Sequence, residues 1–397
     1  MLSYLFTNAS VVLETKTLPY GYVLVRDGII AAVGEAPAPP VEDALRIDCG
    51  GQTLCPGFID LHVHGGGDSD FMDGTAEAVL AAARAHLSHG TTTIAPTSLT
   101  SSDGELFAFF DCYREARKET EDVPRFAGLH LEGPYFSPAQ AGAQPPELLV
   151  HPTPAHYREI LRRGDGLIFR WSAAPELPGA LALGDELRAR GILASVGHSN
   201  ATYEEMKAAV AHGYTHITHL YSGMSSIIRR RGMRVLGVVE CAYLFDELDV
   251  EIIADGVHLP PELLRLIIKT KNRSQISLIT DAMRGAGMPE GPSVLGSRAH
   301  GQPVIIRNGI ANMPDFSGFA GSVATTDRLV RTMVREADLP LHEACNMMSL
   351  HPARLLGREN ELGSIAPGKL ADFVLMDEGL HATRVFVGGR EVLKRES

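Results

Sequence analysis

One pattern constrains the fold more than any other. From about residue 55 to residue 358, short apolar runs alternate with longer stretches of helical periodicity, such as "GTAEAVLAAARAHLSHG" and "ATYEEMKAAVAHGY". Strand and helix in strict alternation is the pattern of parallel βα units. Eight strand candidates can be read in order: "GFIDLHVH", "TTTIAPTS", "FAGLHLEGP", "LIFRWSAAPE", "ILASVGHS", "THITHLYS", "DVEIIADGVH" and "QISLITDAM". Eight units in roughly 300 residues suit a (β/α)8 TIM-type barrel, with a doubly wound open sheet as the runner-up. There is no internal repeat, no P-loop, and no GxGxxG motif opening a helix after a strand.

The flanks have a different texture. "YGYVLVRDGIIAAVGE" alternates around the turn signal Asp27-Gly28, and "GKLADFVLMD" and "TRVFVGGREVLK" read as strands, the second broken at Gly388-Gly389. The expected organisation is therefore a small β-sandwich domain built from residues 1–54 and 359–397, with the (β/α)8 barrel over 55–358 between them.

Bulk composition narrows the function. A net charge of −12 argues against non-specific attraction to nucleic acid or anionic membranes. The start, "MLSYLFTNASVVLETK", lacks a basic segment followed by a long apolar core, and no apolar run is long enough to span a bilayer. The five cysteines are scattered and form no CxxC pair, so they read as reduced thiols of a cytoplasmic protein.

The chemistry is announced at the strand ends. In a barrel of this type the active site lies at the carboxyl ends of the strands. Strand one ends with His62 and His64, strand three with His130 and Glu132, strand five with His198, and strand six with His216 and His219. Strand seven ends with Asp255 and His258, strand eight with Asp281. Any single histidine is more readily a hydrogen-bonded core residue than a ligand. Their joint placement at one mouth, with the strand starts nearly free of such residues, reverses that balance. His62 and His64 are two apart, so they project to the same side of a strand. Gly65, Gly66 and Gly67 then allow a sharp turn and a close approach. Imidazoles from three strands and a carboxylate from another suit zinc, iron or manganese. A carboxylate can also bridge two such ions. Asp281 is placed to hold the attacking water and shuttle its proton.

These residues bring a family with them. The segments "PGFIDLHVHGGGDSDFMDGT", "GLHLEGPYFSP", "SVGHSNAT", "THLYSGM", "IIADGVH", "ITDAM", "FAGSV" and the closing "HPAR" with "GSIAPGKLADFVLMD" cover almost the whole chain. The chain resembles the amidohydrolase superfamily and, within it, the N-acetylglucosamine-6-phosphate deacetylase family. The resemblance implies a deacetylase acting on a small-molecule N-acetyl amino sugar phosphate, as a homodimer, with one or two divalent ions per subunit, zinc foremost. It makes Glu132, His198 and His219 ligands of the metal common to the family. His62 and His64 become ligands of a second metal, and Asp281 the general base and then acid. It places Ala143, Ser222, Gly223, Asp255, His258 and the segment Phe319, Ala320, Gly321 and Ser322 against the substrate.

Three departures are notable. Gln144 stands where many members carry a histidine that polarises the acetyl carbonyl. Ser222-Gly223-Met224 replaces a common Asn-Ala-Met. The arginine that holds the phosphate, often lent by the neighbouring subunit, falls in "IIRRRGMR", where alignment selects Arg230. The competing readings are a deacetylase of another N-acetyl sugar, a cyclic-amide hydrolase or deaminase on the same scaffold, and a non-catalytic scaffold. The hydrolase reading usually needs a carboxylated lysine at strand three or four, and Glu132 stands there instead. A scaffold is expected to have lost ligands, and here every ligand position is filled.

Overall fold

The computed structural model describes residues 3–316 and 318–394. Eight parallel strands run in chain order around a barrel: β1 (Phe58–Val63), β2 (Thr91–Ser98), β3 (Leu129–Glu132), β4 (Ile168–Ala173), β5 (Leu193–Val196), β6 (Tyr214–Ile217), β7 (Asp249–Ile252) and β8 (Ile276–Leu278). The runs that formed them lack alternation because both faces are covered; every residue of β1 and β2 is buried. The ring closes where the chain leaves β8. Asp281 donates its backbone N–H to the carbonyl of His62 at 2.9 Å, and His64 donates to that of Ala282 at 2.8 Å.

Helices follow the strands and start where the local chemistry dictates. Ser102 with Glu105, and Thr202 with Glu205, form capping boxes at the helices Asp103–Ala116 and Tyr203–Ala211. Pro154 and Pro261 occupy the first turn of Pro154–Arg163 and Pro261–Thr270, where a missing N–H costs nothing. The main apolar core fills the space between strands and helices, with Trp171, Tyr157, Phe109 and Phe110 among its largest members. Among the described residues no helix is long and apolar enough to cross a membrane.

Both chain ends meet in one eight-stranded sheet. It joins Ser3–Val12, Thr17–Arg26, Ile29–Glu35, Leu45–Asp48 and Thr53–Pro56 to Phe373–Met376, Ala382–Val387 and Arg390–Lys394. Alternation assigns its two faces. Leu54, Phe373 and Leu375 enter the small domain's own core, whereas Cys55, Val374 and Met376 pack into the barrel's core. The sheet thus lies between two apolar layers.

Two excursions from the barrel carry no expectation from the sequence. Between β8 and the helix Thr326–Arg335, the strands Gly291–Leu295, Gln302–Arg307, Ile310–Asn312 and Phe319–Ser322 form a four-stranded antiparallel sheet. Its tight turn is Asn308-Gly309, both residues at positive φ, the composition that such hairpins favour. After β6, Ile228–Arg230 and Met233–Val235 pair into an exposed hairpin that carries the arginine-rich segment.

The small domain's core is centred on Phe6. Its ring meets Phe373 edge-on at 5.3 Å and Phe386 at 5.0 Å, locking the first strand to the last ones. Phe6→Ala should cost about 3–5 kcal/mol of stability. A lowered urea midpoint with an unchanged far-UV spectrum is the expected result, and an unchanged midpoint would show that the two chain ends are held by something else.

Candidate metal centre and substrate cavity

The site is assembled around Glu132 at the end of β3. His62 and His64, two residues apart at the end of β1, present their Nε2 atoms 3.4 Å from Glu132 Oε1 and Oε2 respectively. From the other side, His198 Nε2 lies 3.4 Å and His219 Nε2 3.0 Å from Oε1. Asp281 Oδ1 completes the group, 3.3 Å from His62 Nε2 and 3.2 Å from His64 Nε2. Two overlapping sets, His62–His64–Glu132 and Glu132–His198–His219, each bring their ligand atoms within 4.8 Å of one another.

The fit to a metal ion can be judged from this geometry. Ligands at about 2.0–2.1 Å from a tetrahedral ion stand about 3.3 Å from one another, which is the spacing found here. The orientation of the rings agrees. His198 donates Nδ1–H to the carbonyl of Gln140 at 2.8 Å, which leaves Nε2 as a lone pair. His62 Nε2 is buried and has no hydrogen-bond partner among the described residues. The residues fit a divalent metal.

Electrostatics add a second argument. Burial drives the pKa of Glu132 up, but the imidazoles of His62, His198 and His219 around it overcome this and hold the carboxyl well below its usual range. Burial likewise opposes ionisation of Asp281, and His62, His64 and His219 outweigh it, so its pKa is lowered. Conversely, burial depresses His62, yet Asp281, Glu251 and Glu132 raise it to about 10. Three ionised carboxylates around one imidazole make a pocket that demands positive charge, which a divalent cation supplies.

The backbone is strained at the same places. His198, His219 and Asp281 have φ of 46°, 27° and 48°. Side-chain-bearing residues rarely occupy that region, and they do so mainly where function requires it. Gly223, at φ 55°, is confined for a different reason: a Cβ there would meet His198 Nδ1 at 2.8 Å and the Gln140 carbonyl at 3.1 Å.

A cavity of about 380 Å³ opens above these groups. Of the residues expected against substrate, Ala143, Gln144, Ser222, Gly223, His258, Phe319 and Gly321 line it. Asp255 stands behind His258 and accepts its Nδ1–H at 2.8 Å. Ala320 is buried in the small core under the inserted sheet, and Ser322 bonds the carbonyl of Thr280, so neither side chain faces the cavity. Arg230 lies on the exposed hairpin and is not part of this chain's own cavity. Gln144 donates an amide N–H to Glu132 Oε2 at 2.7 Å, while its own carbonyl accepts from the Thr100 backbone at 2.9 Å.

His130 and His216 point into the barrel interior below the ligands. His130 Nε2 meets Ser172 Oγ at 2.7 Å, and His216 Nδ1 meets Ser195 Oγ at 2.8 Å. Burial and the nearby Arg170 press the pKa of His130 far down, and burial takes His216 to about 3. Both are neutral core histidines. Sequence reasoning missed Arg170 on β4, Glu251 on β7 and Glu176 after β4. The signal was present for the first two: a charge in the middle of a strand buried on both faces must have a partner. Glu176 accepts from Ser199 Oγ at 2.7 Å and the Asn200 N–H at 2.6 Å, fixing the loop that carries His198.

Gly223→Ala should displace His198 and lower the metal retained per chain, with thermal unfolding still cooperative. Elemental analysis after gel filtration reads this directly; full metal retention would mean that the loop yields without disturbing the ligand.

Known proteins share this architecture. The Amidohydrolase family profile matches residues 53–392. An N-acetylgalactosamine-6-phosphate deacetylase of Escherichia coli is 33% identical over 92% of this chain and 93% of its own length. An N-acetylglucosamine-6-phosphate deacetylase of Lysinibacillus sphaericus is also 33% identical, over 98% of this chain and 97% of its own. Among solved structures, an aspartate-to-alanine variant of the Mycobacterium smegmatis N-acetyl-D-glucosamine-6-phosphate deacetylase, in complex with N-acetyl-D-glucosamine 6-phosphate, superposes with a TM-score of 0.90. It is 32% identical, over 99% of this chain and all of that one. The barrel, the ligand set and these likenesses together make the chain a member of the amidohydrolase family, grouped with its N-acetyl sugar 6-phosphate deacetylases.

Proposed function

We propose that the protein hydrolyses the acetamide of N-acetylglucosamine 6-phosphate to glucosamine 6-phosphate and acetate. The observation that carries this is the position of Asp281. It is an ionised carboxylate on the cavity floor, 3.2 Å from His64 Nε2 and 3.3 Å from His62 Nε2, beside a ligand set for a divalent ion. Zinc is the ion proposed, two per chain, with Glu132 shared between the His62–His64 side and the His198–His219 side. When bound, such an ion makes water acidic enough to lose a proton near neutral pH and polarises a carbonyl. Asp281 accepts the water's proton at its carboxylate, then returns it to the amide nitrogen, which leaves only once protonated. With its Nδ1–H held by Asp255, His258 offers Nε2 as an acceptor for a sugar hydroxyl, and the Phe319 ring stands 5.0 Å from it as an apolar wall. One N–H of Gln144 is committed to Glu132, and its second can reach toward the acetyl oxygen.

The phosphate reading assigns Arg230 to the cavity of a partner subunit. The hairpin that carries it also exposes Ile228 and Met233, at 44% and 69%, with Ile227 beside them at 50%. An exposed apolar group of this kind next to a row of arginines suits a homodimer contact, and a guanidinium suits a phosphate because its fork makes two charge-assisted bonds. We place the enzyme in the cytoplasm, where its five thiols stay reduced. The equal identity to the E. coli N-acetylgalactosamine-6-phosphate deacetylase favours one second reading, the C4 epimer as substrate.

Acetate release from a panel of N-acetyl sugars, with and without 6-phosphate, separates these readings: the gluco-configured phosphate should give the highest kcat/KM, and a higher value for the galacto epimer would establish the second. In the same assay Arg230→Ala should raise KM for the phosphorylated sugar far more than for its unphosphorylated analogue. Equal effects on both would remove Arg230 from the phosphate site. Asp281→Asn should retain fold and metal and lose activity by about 10²–10⁴. A loss of only a few-fold would assign the proton transfer to another group.

A further inference from the structure

Below the metal centre the barrel is filled by hydrogen-bonding side chains, where branched apolar ones are usual. Arg170 and Glu251, both fully buried, form a guanidinium–carboxylate pair across the interior. Glu251 Oε1 also accepts from His62 Nδ1 at 2.7 Å and from the His219 backbone N–H at 3.2 Å. Arg170 Nη2 reaches the Leu61 carbonyl at 3.1 Å and His130 Nδ1 at 2.7 Å.

Donor identity fixes the protons that face the Arg170–Glu251 pair. A guanidinium only donates, so His130 accepts at Nδ1 and carries its proton on Nε2, which it gives to Ser172 Oγ. A line of hydroxyls continues from there, Ser172 to Thr218 at 2.7 Å, Thr218 to Ser195 at 2.6 Å, and Ser195 to His216 Nδ1 at 2.8 Å. On the other branch, Glu251 is saturated as an acceptor. A carboxylate only accepts, so His62 keeps a proton on Nδ1, and Nε2, between Glu132 and Asp281, is the nitrogen left to give up its proton to an ion.

We propose that the Arg170–Glu251 pair is a positioning device for the metal centre: it holds the His62 proton on Nδ1 and so presents the Nε2 lone pair to an ion in the His62–His64–Glu132 group. The inference rests on the two-ion reading above. A carboxylate behind a ligating imidazole fixes the ring and raises its basicity, and loss of such a partner typically weakens metal binding about 10–100-fold.

Two variants test it. Glu251→Gln keeps the shape, but its amide group must turn a donor toward either Arg170 or His62. The double variant Arg170→Met with Glu251→Leu removes both charges together, which avoids stranding one of them. Co²⁺ is titrated into chelator-stripped parent and variants, with equivalents bound, visible absorption and thermal unfolding recorded together. The parent should take up two equivalents. Both variants should unfold cooperatively and bind one equivalent as the parent does, with the other about 10–100-fold weaker and altered in its visible spectrum. Two unchanged equivalents in a folded double variant overturn the proposal. Should the double variant not fold, Glu251→Gln decides by the same criterion. A parent with only one equivalent rejects the two-ion reading, and the positioning role falls with it, a result distinct from an unaffected variant.

Discussion

Everything at the mouth of this barrel depends on how the first strand meets the last. The ring is closed by the Asp281 N–H on the His62 carbonyl and the His64 N–H on the Ala282 carbonyl. The seam thus runs through the backbones of His62, His64 and Asp281, whose side chains meet in the candidate site. Asp60 reinforces it from one turn of the pleat below, accepting the Thr280 hydroxyl at 2.5 Å. Two imidazoles on one side of the seam and a carboxylate on the other arrive within 3.2–3.3 Å without any long side chain having to be immobilised. Backbone hydrogen bonds are directional and short, so they set the relative height of the two strands more tightly than side-chain packing does.

That economy has a counterpart in charge. Glu132, Asp281 and Glu251 are buried together, and among the described residues that touch them Arg170 is the one fixed cation. Burying a carboxylate is costly unless it is paired and hydrogen-bonded. Around Glu132 the balance is met by imidazoles, and around Glu251 by Arg170 and two N–H donors. The result is a layered interior: a ligand tier at the mouth and, under it, a tier of hydrogen bonds linking Arg170 to His216. The lower tier is fully buried, which strengthens each electrostatic contact within it.

Much of this was legible in the sequence, for identifiable reasons. The eight strands could be read because βα alternation is local and each run is bounded by turn residues. The ligands could be read because the strand ends of a barrel share one mouth, so position along the chain translates into position in space. The inserted sheet was missed although Asn308-Gly309 between apolar runs is a strong hairpin signal; it lay inside the span 55–358 assigned as a whole to the barrel. Arg170 and Glu251 were harder. They are 81 residues apart, and nothing local says that one charge in mid-strand will find the other across the interior. Gln144 lines the cavity, and only the structure shows its amide turned onto Glu132.

The joint sheet made by both chain ends also decides how this molecule would come apart under load. The C-terminal strand Arg390–Lys394 lies at the sheet's edge, next to Ala382–Val387 and Phe373–Met376, whereas Ser3–Val12 is interior to it. A machine pulling on the C-terminal end meets those three antiparallel strands first and must peel them one at a time. Only then does tension reach the helices Leu350–Leu355 and Leu341–Met348 and, beyond them, the barrel. Drawn from this end, the small domain works as a mechanical fuse, and the metal centre sits behind it, outside the path of force until the sheet has gone.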